Sequence, residues 1–414
     1  MDLTTNRLAT PVEGFIAQQQ RAPRLVGVIW ALLVINTLGS QGAITIVTIP
    51  RSVTQIVTMG SLIGAFVLAL IINPRVQLRP SAYLLLLSLL TIVSIAASAR
   101  LESGYGALFR CGRLLVFVLT LWLISRWWND GFTFVRHHIK AISAVLLTVV
   151  AGLLISPGTA RPESYGGRLV GAIWPMTPPQ VGQYAATVVG LTVLLWLGQR
   201  TTRSSLLLLA LPAMGLLLLS HTRTATLGLV AGLAVALVSL ASTSARARRV
   251  FTRATIAAGL VALLAGPLIM TWFRRGQDDE SLSDLTGREK VWDALLAAPR
   301  TVSEQLFGVG LTNKSFGGLP IDSSWLAVYH EQGFFGIALV IAFLATMLIV
   351  AALRPPSLAR SGALFLIIYC VIASYTEAGL GDASPYLLNL TIAAALLTTA
   401  PAATEPVVRP GVTR

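Results

Sequence analysis

The chain has 414 residues, of which 55% are hydrophobic and 12% charged, and its mean hydropathy is +0.75. Soluble chains carry about 25% charged residues, so a water-soluble fold is excluded. The net charge of +14, from 31 Lys+Arg and 17 Asp+Glu, raises the question of a polyanionic partner such as nucleic acid, and two cysteines, Cys111 and Cys370, are too few for a disulfide framework or a thiolate metal site.

Residues 1–24 are polar and read as a cytoplasmic tail. No apolar segment with a small-residue cleavage site precedes the first span, which is expected to be retained. Apolar runs bounded by Arg, Pro or polar clusters then predict membrane helices over 25–49, 52–73, 80–99, 107–125, 139–156, 179–198, 204–220, 224–242, 254–271, 325–353, 361–376 and 385–400. The fold class is therefore an all-α polytopic bundle of about 12 transmembrane helices across 25–400, followed by a cytoplasmic tail at 401–414. With the N-terminus inside, the cytoplasmic side carries 18 basic and four acidic residues, while the opposite side carries 11 and 13. That asymmetry is the positive-inside signature, and it accounts for the net charge without nucleic acid.

The one long extracytoplasmic loop, 272–322, is too short for a core of its own. It opens on a charged cluster (Arg274, Arg275, Asp278, Asp279, Glu280) and continues as DLTGREKVWDALLAAP, where Val291, Trp292, Leu295 and Leu296 recur at helical spacing until Pro299. An amphipathic helix lying on the bundle is expected there, either as a plain surface helix or as part of a site. Gly228 and Gly232, four residues apart in a span, predict close helix packing.

Charges at membrane depth are costly and so point to a cavity, a partner or a substrate. Arg110 and Arg113, three apart in ALFRCGRLLVFVL, share a helix face and either snorkel outward or line a cavity. Arg223 sits in the short turn of SHTRTATLGL, and Arg168 follows two glycines in SYGGRLVGAIWPMTPPQ. Together with Arg274, Arg275, Arg288 and Lys290, these outer cations suit a diphosphate, because guanidinium forks bind phosphate oxygens in pairs. No GxxxxGK[ST] is present, and the glycine-rich FGVGLTNKSFGG lacks a preceding strand, so neither nucleotide hydrolysis nor a dinucleotide site is expected. Asp322, where loop meets membrane, reads either as a helix N-cap or as the base that accepts a hydroxyl proton; His330, eight residues on, reads either as a packing histidine or as a second group on that face.

Three stretches resemble the bacterial O-antigen ligase and O-antigen polymerase superfamily of membrane glycosyltransferases. They are GRLVGAIWPMTPPQVGQYAA, SHTRTATLGLVAGL, and the loop whose Gly287-Arg288 pair is followed by Trp292, Gly308-x-Gly310 and Glu331-x-Gly333-x-x-Gly336. The resemblance covers roughly residues 165–340. It implies a GT-C type bundle that moves a glycan from a polyprenyl-diphosphate carrier to an acceptor hydroxyl on the outer face, with no cofactor and no metal ion. Its partners would be the lipid-linked donor, a glycan or glycolipid acceptor, membrane lipid and other envelope-biosynthesis proteins. Arg168, Arg223 and Arg288 then match the family's diphosphate-binding arginines, while Arg110, Arg113, Lys290 and His330 are expected from their own placement to be further substrate contacts. Where ligases carry His-Asn, this chain has Asp322 and Ser323, which favours a polymerase or another glycan-transferring relative. The competing expectation is a transporter or lipid-linked oligosaccharide flippase, which also needs cations inside a helical bundle.

Overall fold

A computed structural model describes residues 24–39, 44–99, 105–128, 131–274, 288–312 and 314–398. The expected tail up to residue 23, the tail 401–414 and the charged run from Arg275 to Glu280 lie outside the described residues. Long helices make up nearly all of the described structure: α1 Arg24–Asn36, α2 Arg51–Ile72, α3 Ala82–Ala99, α4 Tyr105–Ser125, α5 Thr133–Ile155, the single turn α6 Pro157–Ala160, α7 Pro178–Leu197, α8 Arg203–Ser220, α9 Arg223–Ala241 and α10 Ala245–Arg274. The loop that follows holds α11 Arg288–Ala297, α12 Val302–Phe307 and a two-residue hairpin, β1 Ser315–Phe316 with β2 Leu319–Pro320. Then come α13 Ser324–Leu353, α14 Leu358–Ala373 and α15 Pro385–Leu396.

Each predicted apolar stretch falls on one helix, but not every helix has full length. Among the described residues, eight helices are long and apolar enough to cross a membrane, and α10, bent by 58° between Val261 and Leu263, makes a ninth. The bend lies one turn before Pro267, whose ring crowds the preceding turn and which lacks an amide donor. Helices α1, α14 and α15 have 13, 16 and 12 residues, below the roughly 20 that cross hydrocarbon. The prediction of a first helix over 25–49 is corrected here: the helix ends at Asn36, and the described residues 44–50 are not helical, with Ile46 N–H bonded to the Ala172 carbonyl at 2.8 Å. Every residue of α15 after Pro385 is buried. A helix enclosed by protein has no lipid to span, so its shortness carries no penalty.

Helix contacts use small residues and buried polar groups, as expected where apolar burial alone cannot hold helices together. A Cβ on Gly228 would come within 2.8 Å of the Tyr369 ring, and one on Gly232 within 2.9 Å of both the Phe365 ring and its carbonyl, so α9 packs backbone-close on α14. Gly232→Ala should therefore cost about 1–3 kcal/mol, read as a lower melting temperature in detergent; an unshifted melting temperature would contradict this packing. Deeper in the bundle, Trp30 Nε1 donates to His138 Nδ1 at 3.1 Å, and His138 Nε2 pairs with Asn389 Oδ1 at 2.8 Å, tying α1, α5 and α15 together.

One break in a long helix shapes the site. At Gly333 the backbone of α13 swings to φ 65°, ψ −163°. This frees the carbonyls of His330 and Glu331, which accept from Val309 N–H at 2.9 Å and Gly310 N–H at 3.0 Å. Gly308, itself at φ 76°, sits against Glu331 and Gln332, while Gly333 sits against Leu306 and Gly308. The glycines of the loop and those of the helix thus fit into each other, and neither contact leaves room for a side chain. Glu331 completes the joint: its Oε1 accepts from Thr312 N–H at 2.8 Å, the Thr312 hydroxyl at 3.0 Å and Lys314 N–H at 3.1 Å.

Candidate functional site

Three of the predicted arginines meet at one end of the bundle, each brought by a different segment. Arg168 comes from the connection between α6 and α7. Gly166 and Gly167 turn that chain with φ of 61° and 68°, and Leu169 N–H and Val170 N–H fasten it to the carbonyls of Leu219 at 3.0 Å and Ala160 at 2.9 Å. The guanidinium is held from its inner side, with Nε donating to the Ser220 carbonyl at 3.0 Å and Nη2 lying 3.4 Å from Thr222 Oγ1. Arg223 is the first residue of α9, after a turn in which His221 takes φ 47°. Arg288 is the first residue of α11.

Carboxylates from two further segments complete the cluster. Arg288 Nε donates to Asp322 Oδ2 at 3.1 Å, and its Nη2 lies 3.9 Å from Glu377 Oε1. Glu377 belongs to the connection between α14 and α15, which is fixed to α13 by Ser324: its hydroxyl donates to the Glu377 carbonyl at 2.6 Å and accepts from Gly379 N–H at 2.9 Å. Thr224 and Thr376 share a hydrogen bond of 2.6 Å, joining the start of α9 to the same segment. Arg168 feels Glu377, Arg288 and Arg223. Burial pulls its pKa below the ordinary arginine value, Glu377 pushes it back up, and the neighbouring charges of Arg288 and Arg223 lower it further. Guanidinium pKa values lie so high that the group stays charged regardless. The described cluster thus holds three cations against two anions, and the Arg168 cation is both desolvated and repelled by its neighbours.

The Arg288–Asp322 pair is open to water, with side-chain exposures of 24% and 38%. Partly exposed ion pairs contribute at most about 1 kcal/mol, so the pair matters little to stability and an anion could displace the carboxylate cheaply. Asp322 is not the helix cap: Ser323 occupies that place, and it makes no side-chain cap hydrogen bond. The first turn of α9 likewise lacks a side-chain cap. Two helix N-termini, each with partial positive charge and no side-chain cap hydrogen bond, therefore flank the cluster.

The other predicted residues go elsewhere. Arg110 and Arg113 do share a face, but they line a separate cavity of about 920 Å³ with Arg51, Lys314, Gln180 and Asp382. Arg113 Nη2 donates to the Asn36 carbonyl at 2.8 Å, and Lys314 Nζ lies 3.4 Å from Asp382 Oδ2. Burial alone would raise the Asp382 pKa; Lys314 and Arg113 outweigh it and hold the carboxylate below its usual range. Lys290 is exposed, and a residue two positions from Arg288 points to another side of a helix. His330 is buried, its Nδ1 paired with Arg300 Nη2 at 2.9 Å and its ring edge-on to Phe316. Among the described residues no hydrogen bond or ion pair joins it to Asp322, and each is engaged by its own arginine, His330 by Arg300 and Asp322 by Arg288.

Helix α11 lies where the amphipathic pattern put it, with Val291 and Leu295 buried and Trp292 edge-on to Tyr375; Leu296, expected on the same face, is exposed. Sequence reading missed Glu377, Arg300, Lys314 and Asp382. For Glu377 and Asp382 a signal existed: two acids within SYTEAGLGDAS, a connection of 11 residues between two strongly apolar helices. Compared with models of known protein families and with curated proteins, the sequence matches none.

Proposed function

We propose that this chain is a multi-pass glycosyltransferase of a bacterial plasma membrane, which moves a glycan from a polyprenyl-diphosphate carrier to an acceptor hydroxyl. The observation that carries this reading is the convergence of Arg168, Arg223 and Arg288, from three distant segments, beside Asp322 and Glu377 at one end of an apolar helical bundle. In this topology α1–α5, α7–α10 and α13–α15 make twelve crossings, with the short helix α15 enclosed by the others. The basic-residue bias puts both termini in the cytoplasm and the arginine cluster on the outer side.

The chemistry follows from these groups. The acceptor oxygen bonds to the anomeric carbon as the bond from that carbon to the diphosphate oxygen breaks, and the electron pair leaves with the diphosphate. Preorganised guanidinium groups stabilise that charge most in the transition state. The acceptor proton passes to a carboxylate, with Asp322 the more exposed of the two. The cavity beside Arg110 and Arg113 has room for sugar residues, since small-molecule sites run to about 300–1,000 Å³.

Arg168→Lys keeps the charge but loses the planar fork that holds the Ser220 carbonyl through Nε while its terminal N–H groups stay available for paired phosphate oxygens, and is expected to lower transfer by about 10- to 100-fold. The broken helix α13 is the feature that favours a transporter. There, however, Val309 and Gly310 already take the freed carbonyls, which supports the enzyme instead. In a strain lacking the chromosomal copy, complementation with Arg223→Ala, Arg288→Ala or Asp322→Asn should change the lipid-linked glycan profile. Single carrier-linked units would accumulate for a polymerase and full-length carrier-linked chains for a ligase. Normal profiles from stably expressed variants would refute the assignment.

A further inference from the structure

The end of the bundle opposite the arginine cluster holds a second built concavity, of about 550 Å³, where α7 ends, α8 begins and α10 starts. Its walls include Arg203, Arg246, Arg249, Arg253, Trp196 and Thr201. On α10 the arginines are spaced by three and four residues, so they share one helix face. Arg246 lies over the Trp196 ring, with Cζ 4.2 Å from the centroid, which fixes one guanidinium plane at the wall. No Asp or Glu occurs between residues 164 and 277, and among the described residues none of these four guanidinium groups meets a carboxylate. Four uncompensated like charges around one pocket repel one another, and an anion relieves that repulsion.

Orientation in the membrane requires basic residues on one side, but it does not require them to converge. Arg75, Arg136 and Arg248, exposed residues of the same end, lie outside this pocket. Because α7 and α8 are apolar enough to cross hydrocarbon and the pocket lies at their ends, it sits at headgroup depth, where Trp is at home. We propose that this pocket binds the phosphodiester of an anionic phospholipid headgroup from the leaflet at that end. Paired N–H groups on each guanidinium grip the phosphate oxygens, and the acyl chains lie along the apolar flanks of α8 and α10. This site does not depend on glycan transfer.

The test is native mass spectrometry of the detergent-purified full chain with added phosphatidylglycerol or phosphatidylcholine. The wild-type protein is expected to retain phosphatidylglycerol preferentially. R246Q/R249Q/R253Q should weaken that binding by about tenfold or more, and the equally charge-reduced R75Q/R136Q/R248Q by no more than about twofold. Arg253→Gln alone, an exposed change that spares the fold, should cost about threefold. Equal binding by the pocket and control variants would overturn the site. Protection by millimolar inorganic phosphate, with no discrimination between the two lipids, would overturn the headgroup and assign a free phosphate.

Discussion

Replacing Arg288 with alanine is expected to lower glycan transfer by about 100- to 1,000-fold, the usual effect of removing one preorganised group that stabilises developing charge. Three features of the cluster favour Arg288 for this role over a structural one. It is the residue that touches both carboxylates, at 3.1 Å and 3.9 Å. It also contributes to the repulsion on the half-buried Arg168. Its ion pair is partly exposed, so losing it costs the fold at most about 1 kcal/mol. The variant should thus melt within a few degrees of wild type while losing nearly all turnover. Arg288→Lys should recover part of the loss, because it restores the charge without the fork that grips two oxygens at once. A parallel loss of melting temperature and activity would assign Arg288 to stability instead.

Gly333→Ala should be strongly destabilising, costing about 3 kcal/mol or more. Two costs combine at this position. The backbone is held at φ 65°, ψ −163°, a region that a residue with a Cβ seldom occupies. The added Cβ would stand 2.4 Å from the Leu306 carbonyl carbon and 2.6 Å from Gly308 N, both backbone atoms that cannot rotate away. Gly308→Ala meets the same joint from the other side, within 2.3 Å of Gln332 N. The two substitutions affect one contact, so their effects on unfolding should fall short of additive. Thermal unfolding in detergent reads both. An unshifted Gly333→Ala protein would mean that α13 runs straight and the loop does not dock into it.

The helices were legible because apolar length is a one-dimensional signal: every predicted stretch falls on a helix, and the close approach of Gly228 and Gly232 to α14 follows from small residues at a four-residue spacing. Length could not be read for α1, where the apolar sequence continues past Asn36 but the helix does not, nor for α14 and α15, since hydropathy does not tell a lipid-facing helix from an enclosed one. The motif glycines at 308, 310 and 333 were visible as residues, but their mutual docking is a tertiary fact with no local pattern. The arginines were also visible, though their grouping was not. Arg168, Arg223 and Arg288 join through the Glu377 segment, which lies more than 80 residues beyond Arg288, while Arg110 and Arg113 belong with Arg51 and Lys314 around another cavity. Charge partners so distant in sequence leave no mark on periodicity or local composition.

The most direct measurement reconstitutes the purified chain in proteoliposomes with a polyprenyl-diphosphate-linked glycan and an acceptor glycan. It follows both the release of free polyprenyl diphosphate and the new glycosidic bond. The proposal predicts that the two appear together, in equal amounts, and that both vanish in Arg168→Gln/Arg223→Gln/Arg288→Gln while the protein remains folded. Passage of the intact donor across the bilayer with no bond broken would contradict it.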